Sequence, residues 1–192
     1  MGRRFYVLGD LLEITLAVLG SIILLSSYSY IISRINTPMP SYFYLNSHTA
    51  EIGIFPAEDL GDYLIANYTR KCYLKDVPFA HNGKIYLPLR FVAVANGIKE
   101  NNIYEGSDGR LIITKADENK VIIFDSKEKA VVDNGEKINI GDSLLMNDKE
   151  MFIESGYIEK IFNMKVKKEG DKIILIPQSF PNPLLSLFKN FI

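Results

Sequence analysis

An alternating pattern of apolar and polar residues leads into a short helical pattern near the middle of the chain. Asn82–Gly83 is a turn dipeptide, and residues 84–89 alternate with the two-residue period of a strand. Pro88 suits the edge of a strand or the first position of a helix, because it lacks an N–H and its φ is already near the helical value. From Phe91, apolar residues recur at helical spacing as far as Gly97, where a left-handed cap should end the helix. The pattern predicts a strand, a sharp corner and a short helix whose Phe91 ring is buried against a sheet.

The same order of patterns returns about 66 residues further along the chain. Tyr157 opens a second helical pattern with a cleaner apolar face, and Asn163 takes the place of Gly97 as the non-glycine residue best suited to a left-handed cap. The corner itself differs, since residues 154–156 read Glu-Ser-Gly where the first copy reads Pro-Leu-Arg. We therefore predict two tandem units, of which the second is degenerate.

Residues Ile14–Ile32 form a run of nineteen positions without a charge. This is the length a helix needs to cross the hydrocarbon core of a membrane, so we expect a transmembrane helix. Arg3–Arg4 precede the run and only Arg34 follows it closely, which predicts a cytoplasmic N-terminus and an extracytoplasmic C-terminal part. A cleaved signal peptide is the main alternative, because Ser27 and Ser29 are small residues at a spacing suited to signal peptidase. A buried helix of a soluble domain is the other.

These patterns predict an α+β fold in which short helices pack on one face of antiparallel sheet, after one N-terminal transmembrane helix. The predicted segments are a cytoplasmic start with the anchor or signal peptide at 1–33, a juxtamembrane linker with short strands at 34–61, a first unit at 62–126, a second unit at 127–178 and an apolar C-terminal tail at 179–192.

Composition limits the partners, disulfides and metal sites that can be expected. The formal net charge is −1 and the pI about 6.2, so nothing favours a nucleic-acid partner. One cysteine excludes an intrachain disulfide, and two histidines are too few for a histidine-rich metal site. We expect no cofactor, no metal and no catalytic set.

Individual candidates favour structural roles. Cys72 alternates with Leu74 in a predicted strand and suits a small buried hydrophobe, while His48 and His81 suit exposed turns. For Arg90 a role beyond structure stays open, because a guanidinium can bind a carboxylate ligand, although at such a corner it more often ties down a carbonyl or an acidic neighbour. The carboxylates lack calcium-loop spacing and resemble solvated faces; they are Glu58, Asp59, Asp62, Asp125 and Glu128. The sequon at Asn67 is best explained by chance.

The residues Leu87-Pro-Leu-Arg-Phe-Val-Ala-Val-Ala-Asn-Gly97, preceded by the Asn82–Tyr86 turn and strand, resemble the Pro-Leu-Arg signature of the copper amine oxidase N-terminal-like domain, or stalk domain. The resemblance covers about residues 62–177. It implies an α+β domain of secreted or surface proteins in Gram-positive and related bacteria. It does not carry copper over, since the metal and quinone of copper amine oxidases belong to a separate catalytic domain. The motif positions are Pro88, Arg90, Phe91, Gly97, Tyr157 and Asn163.

Together these observations favour a non-enzymatic, membrane-anchored extracytoplasmic protein that binds cell-wall polymer or another envelope protein. Two alternatives stay open. One is a small surface hydrolase or inhibitor with a groove between the two units, which would require polar side chains from both units around a pocket. The other is a structural spacer or subunit of an envelope complex.

Overall fold

Antiparallel strands joined by tight turns dominate the fold. The computed structural model describes residues 3–35, 39–53, 69–115, 119–148 and 150–178. Its strands are β1 Ser41–Tyr44, β2 Thr49–Gly53, β3 Thr69–Tyr73, β4 Phe79–His81, β5 Lys84–Pro88, β6 Ile103–Glu105, β7 Arg110–Lys115, β8 Lys120–Asp125, β9 Ala130–Asp133, β10 Glu136–Asn139, β11 Leu144–Asn147, β12 Glu150–Glu154, β13 Met164–Glu169 and β14 Lys172–Pro177. The helices are α1 Arg3–Ile35, α2 Leu89–Ala95 and α3 Ser155–Phe162, with 3-10 turns at Glu100–Asn102 and Gly141–Ser143.

The strands of the described residues form three sheets, in the orders β13-β14-β1-β2-β3, β10-β9-β8-β7-β6 and β11-β12-β5-β4. Every pairing between neighbouring strands is antiparallel. Strands from both predicted units meet in the third sheet, because β5 pairs with β12. The predicted α+β class with antiparallel sheet and short helices is confirmed.

The N-terminal helix α1 belongs to a unit of its own, residues 1–37, and the strands belong to a second unit, residues 38–192. The helical conformation expected for Ile14–Ile32 is present. The transmembrane assignment is not confirmed, since no helix among the described residues has both the length and the apolar character needed to cross a bilayer. Other expectations lie outside the described residues: the loop at 56–62, the sequon's Asn67 and the tail at 179–192.

One apolar core joins the helices and sheets of the second unit. Its largest fully buried side chains include Phe43, Leu87, Phe124 and Phe162. The rings of Phe124 and Phe162 stack with centroids 5.9 Å apart. Phe124 lies on β8, and Phe162 is the last residue of α3. The contact therefore connects α3 to the sheet that contains β8, whereas the strand directly before α3, β12, belongs to a different sheet.

The two strand-to-helix corners have closely similar backbones. Pro88 ends β5 with φ −58° and ψ 116°, and Glu154 ends β12 with φ −65° and ψ 137°. Both residues immediately precede a helix, so the backbone needs an extended residue at this point and not a proline in particular. This explains how the second corner forms from Glu-Ser-Gly, although the tandem relationship of the two units stays a prediction.

The helix caps match their sequence predictions. Gly97 has φ +81°, its N–H donates to the carbonyl of Val94, and the N–H of Ile98 donates to the carbonyl of Ala93 at 3.1 Å. This pair of bonds is a Schellman motif, with Ile98 packed back into the core. Asn163 caps α3 with φ +51°, also in the left-handed region.

The expected hairpin turns are also present. Asn82 and Gly83 have φ of +51° and +75° between β4 and β5, and Asn134 and Gly135 have +49° and +92° between β9 and β10. Positive φ at both central positions is the requirement of the type I′ turn, which Asn-Gly meets with little strain.

The prediction that the Phe91 ring is buried was wrong. The buried face of α2 consists of Leu89, Val92, Ala93, Val94 and Ala95. Phe91 is only half-buried, packing against the core on one side while its other side reaches the surface. The helix has barely two turns, and because residues 89 and 92–95 form its buried face, Phe91 lies at the flank of that face.

Candidate functional site

An open cleft of about 460 Å³ lies beside the Pro-Leu-Arg corner. Four elements meet there: the end of β3, the first turn of α2, the end of β6 and the start of β12. The lining residues are Tyr73, Lys75, Arg90, Phe91, Glu105 and Glu150. Five come from the first predicted unit and Glu150 comes from the second, so polar side chains from both units surround one pocket.

One wall of the cleft carries an exposed aromatic ring. Tyr73 is 73% exposed, and the imidazole of His48 stacks on it with centroids 5.3 Å apart and planes 9° from parallel. His48 is fixed in turn, because its Nδ1 lies 2.9 Å from the carbonyl oxygen of Leu74 and its own carbonyl accepts the N–H of Leu74. His48 is exposed at a bend, as expected, and its imidazole also supports the ring of Tyr73.

Arg90 connects the helical corner to β6. Its Nη1 donates to Oε1 of Glu105 at 3.2 Å, while its side chain stays 30% exposed. The acidic neighbour expected for this arginine is therefore Glu105. Because this bond uses one guanidinium nitrogen and Arg90 lines the cleft, its remaining N–H groups are candidate donors to a bound molecule.

Glu150 is the unusual residue of the cleft. It begins β12, a strand buried on both sides, and is only 6% exposed. Its Oε1 has no hydrogen-bond partner among the described residues. A nearby carboxylate oxygen, Oδ2 of Asp76, is buried and unpartnered in the same way. Buried polar atoms are normally paired, so the unpartnered oxygen of Glu150 is an exception among the described residues that line the cleft.

Burial raises the pKa of Glu150 to about 7. This value includes the smaller effects of the nearby charges: Glu105 and Asp76 also raise the pKa, while Lys75 and Arg90 lower it. The side chain is therefore a mixture of acid and carboxylate near neutral pH, and it either donates or accepts a hydrogen bond according to its protonation state.

The other sequence candidates fall outside the cleft. Cys72 is half-buried rather than fully buried, and Leu74 beside it is fully buried. His81 is an exposed hairpin residue whose ring contacts Asn82. Asp125 accepts a hydrogen bond from the backbone N–H of Glu128 in the turn that follows it. This bond and the bond from Arg110 lower the pKa of the Asp125 carboxyl.

Tyr157 and a second charged cluster stabilise the other corner. Tyr157 is half-buried, with the ammonium of Lys160 5.0 Å from its ring centroid. Burial alone would raise the pKa of Glu154, but hydrogen bonds from Lys84 and Ser143 outweigh it and hold the pKa below its ordinary value. Lys84 and Glu154 lie 2.8 Å apart and join β5 to the end of β12.

Sequence reasoning found Arg90 and Phe91 but missed Tyr73 and Glu150. The signal for Glu150 was present, because it directly precedes the apolar run 151–153. When a strand is buried on both faces of its sheet, the residue that begins the strand has little contact with solvent. No comparable signal marks Tyr73, whose role depends on His48 from a distant turn.

A family model described as "Copper amine oxidase N-terminal domain" matches residues 67–176. The match spans more than half of the chain, and the chain belongs to this family, which is a non-catalytic domain of copper amine oxidases. No curated protein and no solved structure matches the chain.

The described residues of this domain offer no site for copper. Among the described residues, no three histidine, cysteine, aspartate or glutamate side chains come together in a group that could hold a metal ion. Both histidines have other neighbours, the Tyr73 ring for His48 and Asn82 for His81. The family relationship therefore concerns the fold.

Proposed function

We propose that this protein is a non-catalytic module of the cell envelope that binds a cell-wall polymer. The observation that carries the proposal is the cleft at the Pro-Leu-Arg corner, where an exposed aromatic ring stands beside two cationic and two carboxyl side chains. Binding sites need a few oriented polar groups on a supported surface, and Tyr73 and Arg90 are both held by other side chains. Membership of a non-catalytic domain family supports binding over turnover.

We also propose that the domain acts outside the cytoplasm, held at the membrane by the N-terminal helix or released from it by cleavage. The charge-free run Ile14–Ile32, with Arg3–Arg4 before it, supports this placement. Protease treatment of intact cells tests it: we expect digestion of the C-terminal domain without lysis. Protection of the domain in intact cells, with digestion after lysis, would contradict an outside location.

The binding proposal is tested by sedimenting the purified full-length chain with isolated cell walls and with protein-containing envelope extracts. We expect retention on the walls and release by an excess of solubilised wall polymer. Retention only on the protein-containing extracts would favour an envelope protein as the partner, or a role as a structural subunit. Absence of retention on either would remove the binding proposal.

A surface hydrolase is the second candidate, favoured by Glu150. A carboxyl group with a pKa of about 7 suits a general acid near neutral pH, and Glu105 in the same cleft supplies a second carboxylate. Release of reducing ends from isolated walls by the wild-type chain, and loss of that release in Glu150→Gln, would establish it. If the walls are unchanged after prolonged incubation, the hydrolase candidate is removed and the binding module stays as the proposal.

A further inference from the structure

We infer that the cleft is a subsite for one neutral sugar ring of a polysaccharide, with Tyr73 as its platform and Glu150 as the hydrogen-bonding group beneath it. This inference rests on the proposed function and specifies its ligand class. Three features of the cleft carry it: the unpaired oxygen of Glu150, the balance of the charges and the support of the aromatic ring.

The unpaired oxygen of Glu150 requires a ligand that brings a hydrogen-bonding partner. Among the described residues, Oε1 of Glu150 is buried without a partner, and leaving such an atom unpaired is costly. Hydroxyl groups answer this need in both protonation states of Glu150, because a hydroxyl donates to a carboxylate and accepts from a carboxylic acid. Lys75 and Arg90, which also line the cleft, supply donors to the ligand's own acceptors.

The balance of charges favours a neutral ligand. Lys75 and Arg90 are cationic, Glu105 is anionic, and Glu150 is partly ionised near neutral pH. An anionic polymer would face Glu105 and Glu150, whereas a cationic amine would face Lys75 and Arg90. A bare metal ion is disfavoured because the described residues contain no group of three potential ligands. A polyhydroxyl ring meets these side chains without bringing an unpaired charge.

The supported ring of Tyr73 provides the apolar face. One face of the ring is covered by His48, so most of the exposed area belongs to the other face and the edges. A sugar ring has a face of weakly positive C–H groups and a rim of hydroxyls, which complements the negative face of an aromatic ring beside polar groups. Because His48 is itself bonded to Leu74, the platform is ordered before the ligand arrives.

The test is calorimetric titration of the full-length chain with two probes: peptide-free glycan oligosaccharides prepared from cell wall, and the free stem peptides from the same wall. We expect the glycan to bind and the peptide not to bind. Tyr73→Ala should weaken glycan binding by about tenfold or more, which corresponds to losing one stacking contact. Tyr104→Ala is the matched control, since Tyr104 is 55% exposed and does not line the cleft.

The pH dependence distinguishes a direct role of Glu150 from a structural one. Binding by the wild-type chain should strengthen as pH rises from about 6 to 8, because a ligand hydroxyl that donates to Glu150 bonds more strongly to the ionised carboxylate than to the neutral acid. Glu150→Gln should bind with little pH dependence over the same range, since the amide keeps a donor and an acceptor. The groups that face Glu150 and affect this titration are Glu105, Asp76, Lys75 and Arg90.

Several outcomes would overturn the inference. Binding of the stem peptide alone, equal affinities for Tyr73→Ala and Tyr104→Ala, or wild-type pH dependence in Glu150→Gln would each do so. Retention of the chain on whole walls together with any of these results would leave the proposed function in place and remove only the sugar subsite. Tyr73-dependent binding of the glycan without retention on whole walls would support the subsite and remove the wall as its source.

Discussion

The side-chain amide of Asn96 donates a hydrogen bond to the backbone carbonyl of Phe162, over 2.9 Å and across 66 residues of sequence. Asn96 follows the last residue of α2, and Phe162 is the last residue of α3. A carbonyl at a helix end has no partner within the helix, so one helix terminus here satisfies the other. In the predicted alignment of the two units, Asn96 and Phe162 are equivalent positions.

Replacing Asn96 with alanine should therefore destabilise the domain by about 1 kcal/mol, the usual net contribution of such a bond. Urea unfolding followed by circular dichroism measures this difference. Asn101→Ala is the control, because Asn101 is exposed in the 3-10 turn at Glu100–Asn102 and should change stability by less than about 0.5 kcal/mol. Equal stabilities of the two variants would show that the bond is not stabilising.

The sequence predicts those parts of the fold whose cause is local. The turns at Asn82–Gly83 and Asn134–Gly135 and the caps at Gly97 and Asn163 depend on the φ preferences of single residues, and all four are present. The depth of Phe91 was predicted wrongly because helical periodicity over two turns does not fix a helix's rotation.

The site was less predictable than the fold. Arg90 could be singled out as a candidate, but its partner Glu105 lies on β6 and becomes its neighbour only through the packing of that strand. The cleft further depends on His48 supporting Tyr73 and on the pairing of β12 with β5, which brings in Glu150. These are non-local relationships that no window of sequence contains.

Two phenylalanines should respond differently to truncation. Phe162 is 2% exposed and stacks on Phe124, so Phe162→Ala should cost roughly 3–5 kcal/mol. Phe91 is half-buried at the cleft, so Phe91→Ala should cost less, about 1–2 kcal/mol. Thermal or urea unfolding of both variants compares them. A larger loss for Phe91→Ala than for Phe162→Ala would contradict the described packing.

Two glycines should respond in opposite directions to alanine. Gly97 has φ +81°, where a side chain is strained, so Gly97→Ala should destabilise by about 1–2 kcal/mol. Gly156 lies within α3 with room for a methyl group, so Gly156→Ala should stabilise by about 0.5–1 kcal/mol through helix propensity. The pair is measured in one set of unfolding curves, and a Gly97→Ala variant that is as stable as wild type or more stable would refute the assigned cap.

Stability should fall as pH rises from about 4.5 to about 7. The pKa of Glu150 is raised from 4.5 to about 7 in the folded state, so in this range the folded chain holds a proton that the unfolded chain has released. The loss of stability is absent below this pH range and complete above it. A pKa shift of this size corresponds to about 3 kcal/mol in the free energy of unfolding.

Glu150→Gln should remove most of this fall in stability, because glutamine does not titrate. Glu136→Gln is the control, since Glu136 is exposed on β10 and should leave the pH profile unchanged. The measurement is urea unfolding at a series of pH values for the three proteins. A wild-type profile that survives in Glu150→Gln would assign the pH dependence to another group.

The most direct test of the proposed binding is the retention of full-length Tyr73→Ala on isolated cell walls, measured beside wild type and Tyr104→Ala at equal folded concentration. If the cleft binds a wall polymer, wild type and Tyr104→Ala sediment with the walls and Tyr73→Ala stays largely in solution. Equal sedimentation of all three proteins would place the wall contact elsewhere on the chain, and sedimentation of none would contradict wall binding itself.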